Sequence, residues 1–377
     1  MKKIVLSLYI LFLLFVTFFS YLFIDPNLIF MKSLYSGFFI KERLIVTIIY
    51  SSIILTFFAF YAYFLNSFRR KTFNFFDFKF IIVLTLLFLF LSYPAMVSFD
   101  IFNYIATAKV LFFYNENPYI IMPIQFSGDP LLLFMHAANK TALYGPVWIL
   151  ITAIPYYLGF GNFILTLFSF KLFAAFFYLA SVWILHRMTK NVFYTSFFAL
   201  NPLVVLETLV SGHNDIVMMF FALLSMLFLK DKKIVWAIIF IFLSIFIKFS
   251  TIFLLPMGIY VLFQYAVNKS VNWKKILYLS SFFMFFIFLL SPIREEMYPW
   301  YAIWFLTFLP FMQNRLIRYV YLAFSFGLLF RDIPFMLLGT YSQPTPIIRT
   351  AFTAAPIAAV FLYLFLKKIT LQYFPKT

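Results

Sequence analysis

The stretch VFYTSFFALNPLVVLETLVSGHNDIVMMFFALLSMLFLK, Val192–Lys230, decides the fold. Two apolar runs, 192–207 and 216–229, flank a polar turn, and each reads as a membrane span. Both are short, and short spans are tolerated where a helix end opens into a protein-lined cavity. Outward from this stretch the whole chain has the same character. Of its 377 residues 65% are hydrophobic, only 11% are charged, and 61 are Phe. A soluble domain carries about 25% charged residues, so no ordinary water-facing surface can be built from this composition. There is no cysteine, which excludes disulfides, thiolate zinc sites and Cys nucleophiles. The three histidines, His136, His186 and His213, are far apart in sequence and argue against a histidine-based metal site.

A span needs about 20 apolar residues. Further spans are expected near 4–24, 44–65, 80–97, 163–185, 234–248, 249–266, 276–291, 301–312, 319–337 and 347–366. The fold class is therefore an all-α, polytopic transmembrane helical bundle of about 12–13 spans, a single transmembrane domain over 1–377. The first run follows Lys2 and Lys3 and precedes Asp25-Pro26-Asn27 without a small-residue cleavage site, so it reads as a retained span. Basic clusters recur at alternate loops: Lys2-Lys3, Arg69-Arg70-Lys71 with Lys79, Arg187 with Lys190, Lys230 with Lys232-Lys233, Lys269 with Lys274-Lys275, Arg315 with Arg318, and Lys367-Lys368. With Lys376 these loops hold 19 of the 29 basic residues but only two of the 12 acids, Asp77 and Asp231. The charge rule assigns this side, with both termini, to the cytoplasm. Its excess charge suits anionic lipid headgroups and carries no nucleic-acid motif. The apolar segment 145–161 is the exception. If it crossed, Arg187 and Lys190 would move outside, so either it is re-entrant or in-plane, or the charge rule fails there.

The opposite side collects the acids and the longest non-spanning segment. Loops beyond about 12–15 residues are usually functional or disordered, and 98–145 is not disordered in composition. Ile101, Phe102, Ile105, Val110, Leu111 and Phe112 have the spacing of an amphipathic interfacial helix. Asp100 sits where the third span ends and this loop begins, placed to meet both a lipid-borne and a water-soluble substrate, or to act as a plain interface anchor. In Asn201-Pro202…Glu207…Gly212-His213-Asn214-Asp215, Pro202 bends the span. The polar turn is richer than a helix cap by Asn214 or Asp215 requires. Lys248 lies between two spans with almost no loop, where a lysine pairs with an acid, binds an anion or snorkels. Trp300, Tyr301 and Trp304 suit an aromatic belt or a surface that stacks on a sugar or prenyl chain.

Asp100, Tyr104, Ala108, Asn117-Pro118-Tyr119, Tyr144-Gly145-Pro146, Asn201-Pro202-Leu203, Glu207, Gly212-His213-Asn214-Asp215, Lys248 and Pro299-Trp300-Tyr301 follow one another in a familiar order. Over roughly Ser92 to Trp304 the chain resembles the GT-C superfamily of integral membrane glycosyltransferases, closest to prokaryotic polyprenyl-phosphate-mannose-dependent mannosyltransferases. It departs from them in two places. The acid after Asp100 is replaced by Ile101, and the usual Tyr-Pro-Pro reads Tyr144-Gly145-Pro146. The resemblance implies sugar transfer, of mannose, from a polyprenyl-phosphate donor to the hydroxyl of a glycan, glycolipid or glycoprotein on the non-cytoplasmic face, with inversion. It implies Asp100 as the base and Lys248 at the donor phosphate, with Arg294, His213 and Arg331 as further candidates. The implied pocket residues are Tyr104, Asn117, Tyr119, Tyr144, Glu207, Asn214, Asp215, Trp300 and Tyr301. No cofactor is called for, although the carboxylates could hold a divalent metal. The rival readings are a transporter or lipid flippase, which would favour inverted repeats, and a non-catalytic partner in envelope assembly.

Overall fold

The computed structural model describes residues 2–373; Lys376, and the side chains of Arg294 and Lys368, lie outside the described residues. The fold is all-α. Among the described residues, seven helices are long and apolar enough to cross a membrane. These are α1 (Lys2–Ser20, extended by a 3₁₀ turn to Phe23), α2 (Arg43–Arg69), α6 (Phe163–Thr189), α11 (Phe249–Ala266), α12 (Trp273–Arg294), α13 (Arg315–Leu338) and α14 (Thr345–Tyr373). An eighth is the pair α7 (Val192–Ala199) and α8 (Pro202–Val210), bent by 55°. Shorter helices are α3 (Phe75–Leu91), α4 (Asp100–Phe112), α5 (Pro146–Tyr157), α9 (Asp215–Lys230) and α10 (Ile234–Ile247).

Asparagines set many of the helix starts. Asn74 and Asp77 form a reciprocal capping box that opens α3. The side chains of Asn162, Asn191 and Asn272 each accept a backbone N–H at the start of α6, α7 and α12. At the bend, Asn201 Oδ1 accepts from Leu203 N at 3.0 Å and from Ser325 Oγ at 2.7 Å. The break made by Pro202, which has no N–H to give, is thereby tied to α13.

Two ends are defined by contacts. At one, Lys2 pairs with Asp77 at 2.5 Å, and the Phe75 ring lies on His186. Lys232 sits over Tyr265, which joins the loop after α9 to the last turn of α11. At the other, Tyr93 and Phe163 both touch Phe102 of α4. Helices α3 and α6 therefore run between the same two ends although α3 is the shorter.

Helix α3 occupies 75–91 where 80–97 was expected. The capping box starts it early and Pro94 keeps the preceding residues extended. Fully buried Lys171 of α6 donates to the carbonyls of Leu89 and Ser92, satisfying groups that a helix end leaves bare. The expected span 301–312 is not one helix. It is the series Pro299–Ala302, Ile303–Leu306 and Leu309–Phe311, interrupted by prolines at 299 and 310 and almost wholly buried. Irregular backbone at membrane depth is tolerated where protein surrounds it. Segment 145–161 does not cross: Tyr144 packs on Tyr104 and Phe163 on Phe102, so helix α5 leaves α4 and returns to it. Arg187 and Lys190 follow His186, at the end where Phe75 and Lys2 lie.

Helix α4 is present at the expected place. It buries Ile101, Phe102, Ile105 and Val110 inside the protein. The loop after it is ordered by Lys109–Asp129 at 2.8 Å and by Tyr114, which donates to Asp129 and stacks on Phe126.

Candidate active site

Helix α4 starts at Asp100, and on its face Asp100, Asn103 and Thr107 follow at helical spacing. All three line a cavity of about 820 Å³. Asn103 Nδ2 donates to Asp100 Oδ1 at 3.4 Å. The Asp100 side chain is 28% exposed, and its accessible face opens into this cavity. Burial pushes its carboxyl up to about 6, with Lys248 opposing and Asp215 and Glu295 adding to the rise.

Opposite stands Lys248, in extended backbone at the break between α10 and α11. Its ammonium pairs with fully buried Asp215 at 3.0 and 3.1 Å and lies 4.4 Å from the centre of the Tyr301 ring. Trp304 Nε1 donates to Asp215 at 2.5 Å, and Tyr301 donates to Glu295 at 2.8 Å.

Helix α8 loosens into a π-turn over Leu206–Val210, a feature frequent at functional sites. Gly212 follows with φ +69°; a Cβ there would press on Ile101 of α4 at 3.1 Å. This close approach brings His213 to α4. The imidazole stacks on Trp300 (4.1 Å, 16°), and its Nδ1 lies 3.8 Å from Asp100 and 3.4 Å from the Tyr104 hydroxyl. Its Nε2 is 3.2 Å from Glu207. Burial pushes the imidazole below its usual range.

Asp100, Tyr119, Tyr144, Lys248, Trp300 and Tyr301 thus line the cavity. Tyr104, Glu207, His213, Asn214 and Asp215 are buried behind its wall. His213, expected at a donor phosphate, is fully enclosed and faces two carboxylates instead. Asn117 is off the wall too. Its side chain accepts the N–H of Tyr119 at 3.0 Å, and Tyr119 donates in turn to the Tyr144 carbonyl. Asn214 makes no side-chain cap on α9; it accepts from the Tyr104 hydroxyl at 3.4 Å. Arg331 pairs with Glu296 at 3.2 Å, away from the cavity. The side chain of Arg294 lies outside the described residues.

Sequence reasoning missed Asn103, Thr107 and Lys140 on the wall, singled out the run Arg294 to Tyr301 without giving Glu295 a role, and gave Trp304 none beyond the aromatic surface. The spacing of Asp100, Asn103 and Thr107 on a single helix was a usable signal; for Lys140, in a loop, there was none.

Residues 31–264 match the MptA_B family model, described as alpha-(1->6)-mannopyranosyltransferase, N-terminal domain. The chain belongs to this mannosyltransferase family. No curated protein and no solved structure matches it. The matched residues of the mannosyltransferase include Asp100, Asp215 and Lys248 and end before Glu295, Trp300, Tyr301 and Trp304. One wall of the cavity is therefore built from chain beyond the match.

The tripeptide Tyr144-Gly145-Pro146 has a structural cause in this mannosyltransferase. Gly145 donates its N–H to the Ile247 carbonyl at 3.0 Å, and a Cβ on it would overlap the carbonyl of Phe246. A proline there would have both a Cβ and no N–H. Glycine lets the segment carrying Tyr144 lie directly against the last turn of α10, which leads into Lys248. Gly145→Ala is expected to destabilise by about 1–3 kcal/mol through overpacking. It should also lower mannosyl transfer about 100-fold by displacing Tyr144 from Lys248. Thermal unfolding in detergent and a transfer assay check the two effects separately.

Proposed function

We propose that the protein moves mannose from a polyprenyl-phosphate donor to an acceptor hydroxyl on the non-cytoplasmic face, with inversion. The observation that carries this reading is a single cavity with two chemistries in its wall. Asp100, Asn103 and Lys248 offer polar contacts, and Phe249, Ile252, Phe253, Ile287 and Leu290 offer apolar ones. A sugar phosphate on a prenyl chain needs both. The face follows from charge: the site lies at the end away from the basic loops, and basic loops stay cytoplasmic.

In this reading Asp100 accepts the acceptor's proton, an efficient role for a carboxyl titrating near 6 because it is ionised at neutral pH yet more basic than usual. Lys248 meets the phosphate, whose charge grows as the sugar departs. Trp300, Tyr301 and Tyr144 give the hexose apolar faces. In-line displacement on a β-linked donor yields an α product, in agreement with the α-(1→6) linkage in the family's description.

The test is transfer by purified protein in liposomes from radiolabelled polyprenyl-phosphate-mannose, with GDP-mannose as the competing donor and native lipid extract as acceptor. Transfer from the lipid donor alone is expected. Transfer from the nucleotide sugar, or from neither, would overturn the reading.

A further inference from the structure

The cavity wall holds two lysines, Lys248 and Lys140. Lys248 is bound to Asp215 through both carboxylate oxygens, at 3.0 and 3.1 Å, so at a distance the two charges largely cancel. The acids of the wall itself, Asp100 and Glu295, add negative charge. Lys140 differs from all of these. It is exposed, and among the described residues its ammonium has neither a carboxylate nor a hydrogen-bond partner.

The backbone under Lys140 is nonetheless held. Its N–H is bonded to the Ala137 carbonyl at 3.1 Å, Ala142 N–H to the Pro118 carbonyl at 2.8 Å, and Ile124 N–H to the Ala138 carbonyl at 2.9 Å. Residues 140–145 all line the cavity. Gly145 N–H then joins the Ile247 carbonyl at 3.0 Å, and the wall continues from Lys248 through Phe249, Ile252 and Phe253. One continuous strip therefore carries an uncompensated cation, a compensated one and an apolar run. Those are the contacts that a phosphate on a prenyl chain needs. Asp100, which faces the acceptor, belongs to α4 and not to this strip.

We propose that Lys140 is a donor-binding residue: it draws the phosphate of the lipid donor into the cavity and retains that phosphate after the sugar has left. The proposal rests on the lipid-phosphate reading above. In that transfer the bond between the anomeric carbon and the phosphate oxygen breaks, and the oxygen keeps the electron pair. The acceptor oxygen takes its place on carbon, and its proton goes to Asp100. The departing phosphate is thus a monoester, more highly charged than the diester that entered. Lys248 already shares its charge with Asp215, whereas the whole charge of Lys140 is free to meet the increase. A cation at the rim of a site acts mainly on capture and on its salt dependence.

The experiment compares full-length wild type, Lys140→Gln, Lys140→Arg and Lys140→Glu in phosphatidylcholine liposomes. The side chain is exposed and unpartnered, so all three variants should fold. Donor KM and kcat are measured with polyprenyl-phosphate-mannose at low and high salt, and inhibition with added polyprenyl phosphate. Gln should raise the donor KM about 5-fold, with a far smaller change in kcat, and should remove the rise of KM with salt that wild type shows. Inhibition by polyprenyl phosphate should weaken by more than the donor KM rises, because the monoester carries more charge. Arg should restore both, and Glu should raise KM further. The proposal is overturned if Gln keeps the wild-type KM and inhibition, if kcat falls while KM stays, or if phosphatidylglycerol added to the liposomes inhibits wild type as strongly as polyprenyl phosphate does. That last result would make Lys140 a site for bulk lipid headgroups. A wild type that makes no product from this donor would sink the reading of the function instead. Binding of polyprenyl phosphate against polyprenol would then decide the role of Lys140 alone, equal affinities of wild type and Gln for the phosphate overturning it.

Discussion

Asp100→Asn, in protein that still folds, is expected to lower mannosyl transfer by about 10²–10⁴-fold, the range of general-base catalysis, with little change in donor affinity. The variant keeps the shape of the side chain and its contact with Asn103 while losing the ability to take a proton. In wild type the rate should rise with pH through about 6, as the carboxyl ionises, and then level off. The same displacement has a consequence for stability with a definite sign. The folded carboxyl titrates above the unfolded one, so the protonated form is the one folding favours. Its contribution to stability is fully present below the unfolded carboxyl's range and is lost as pH rises through about 6. Asp100→Asn should therefore unfold at a higher temperature than wild type at mildly alkaline pH and lose that advantage in acid. Thermal unfolding at two pH values, beside the transfer assay, measures both effects. Near-full turnover in the variant would remove Asp100 as the base.

Lys248→Met should be the most destabilising of these changes. It strands Asp215, which is fully buried and paired with Lys248 through both carboxylate oxygens, leaving it the Trp304 indole as donor. Breaking a buried ion pair from one side costs about 3–5 kcal/mol, whereas replacing both partners is often neutral. The double variant Lys248→Met/Asp215→Asn is thus expected to recover most of the lost stability. Donor affinity should not recover with it if the ammonium also meets the phosphate. Binding of the lipid donor to the double variant separates the roles: wild-type affinity there would confine Lys248 to its pairing with Asp215.

Much of the architecture was legible because apolar runs of sufficient length leave few alternatives. The spans over α2, α6 and α11 stand close to where they were expected, and the bend at Pro202 follows from one missing N–H. What was illegible has a common cause. Apolar composition is the same for a helix facing lipid and for a chain threaded through the interior, so 301–312 looked like a span and is a buried series of turns. Lys171 carried no signal, since nothing in its apolar neighbourhood tells that it reaches the carbonyls at the end of α3. In the site, single residues were found by chemical type, but their distances were not. Asp100 and His213 are more than a hundred positions apart, and only the packing of Gly212 on Ile101 places the imidazole behind the carboxylate rather than on the cavity wall.

Helix α5, which leaves α4 and returns to it, also bears on the surrounding bilayer. Its 12 residues rise only ~18 Å at ~1.5 Å each, against a hydrocarbon core of about 30 Å. Leu150, Ile154, Tyr157 and Phe160 on and just beyond it are exposed. If α5 faces lipid along its length, a flank this short is expected to thin the bilayer beside it. Headgroups drawn inward there would border Tyr144 and Asp100. A phosphate carried on a membrane-anchored chain and a hydroxyl arriving from water can then reach the same depth without either crossing the leaflet. The mismatch between this short flank and the full-length spans elsewhere is expected to make transfer depend on bilayer thickness, which an assay in lipids of differing chain length measures.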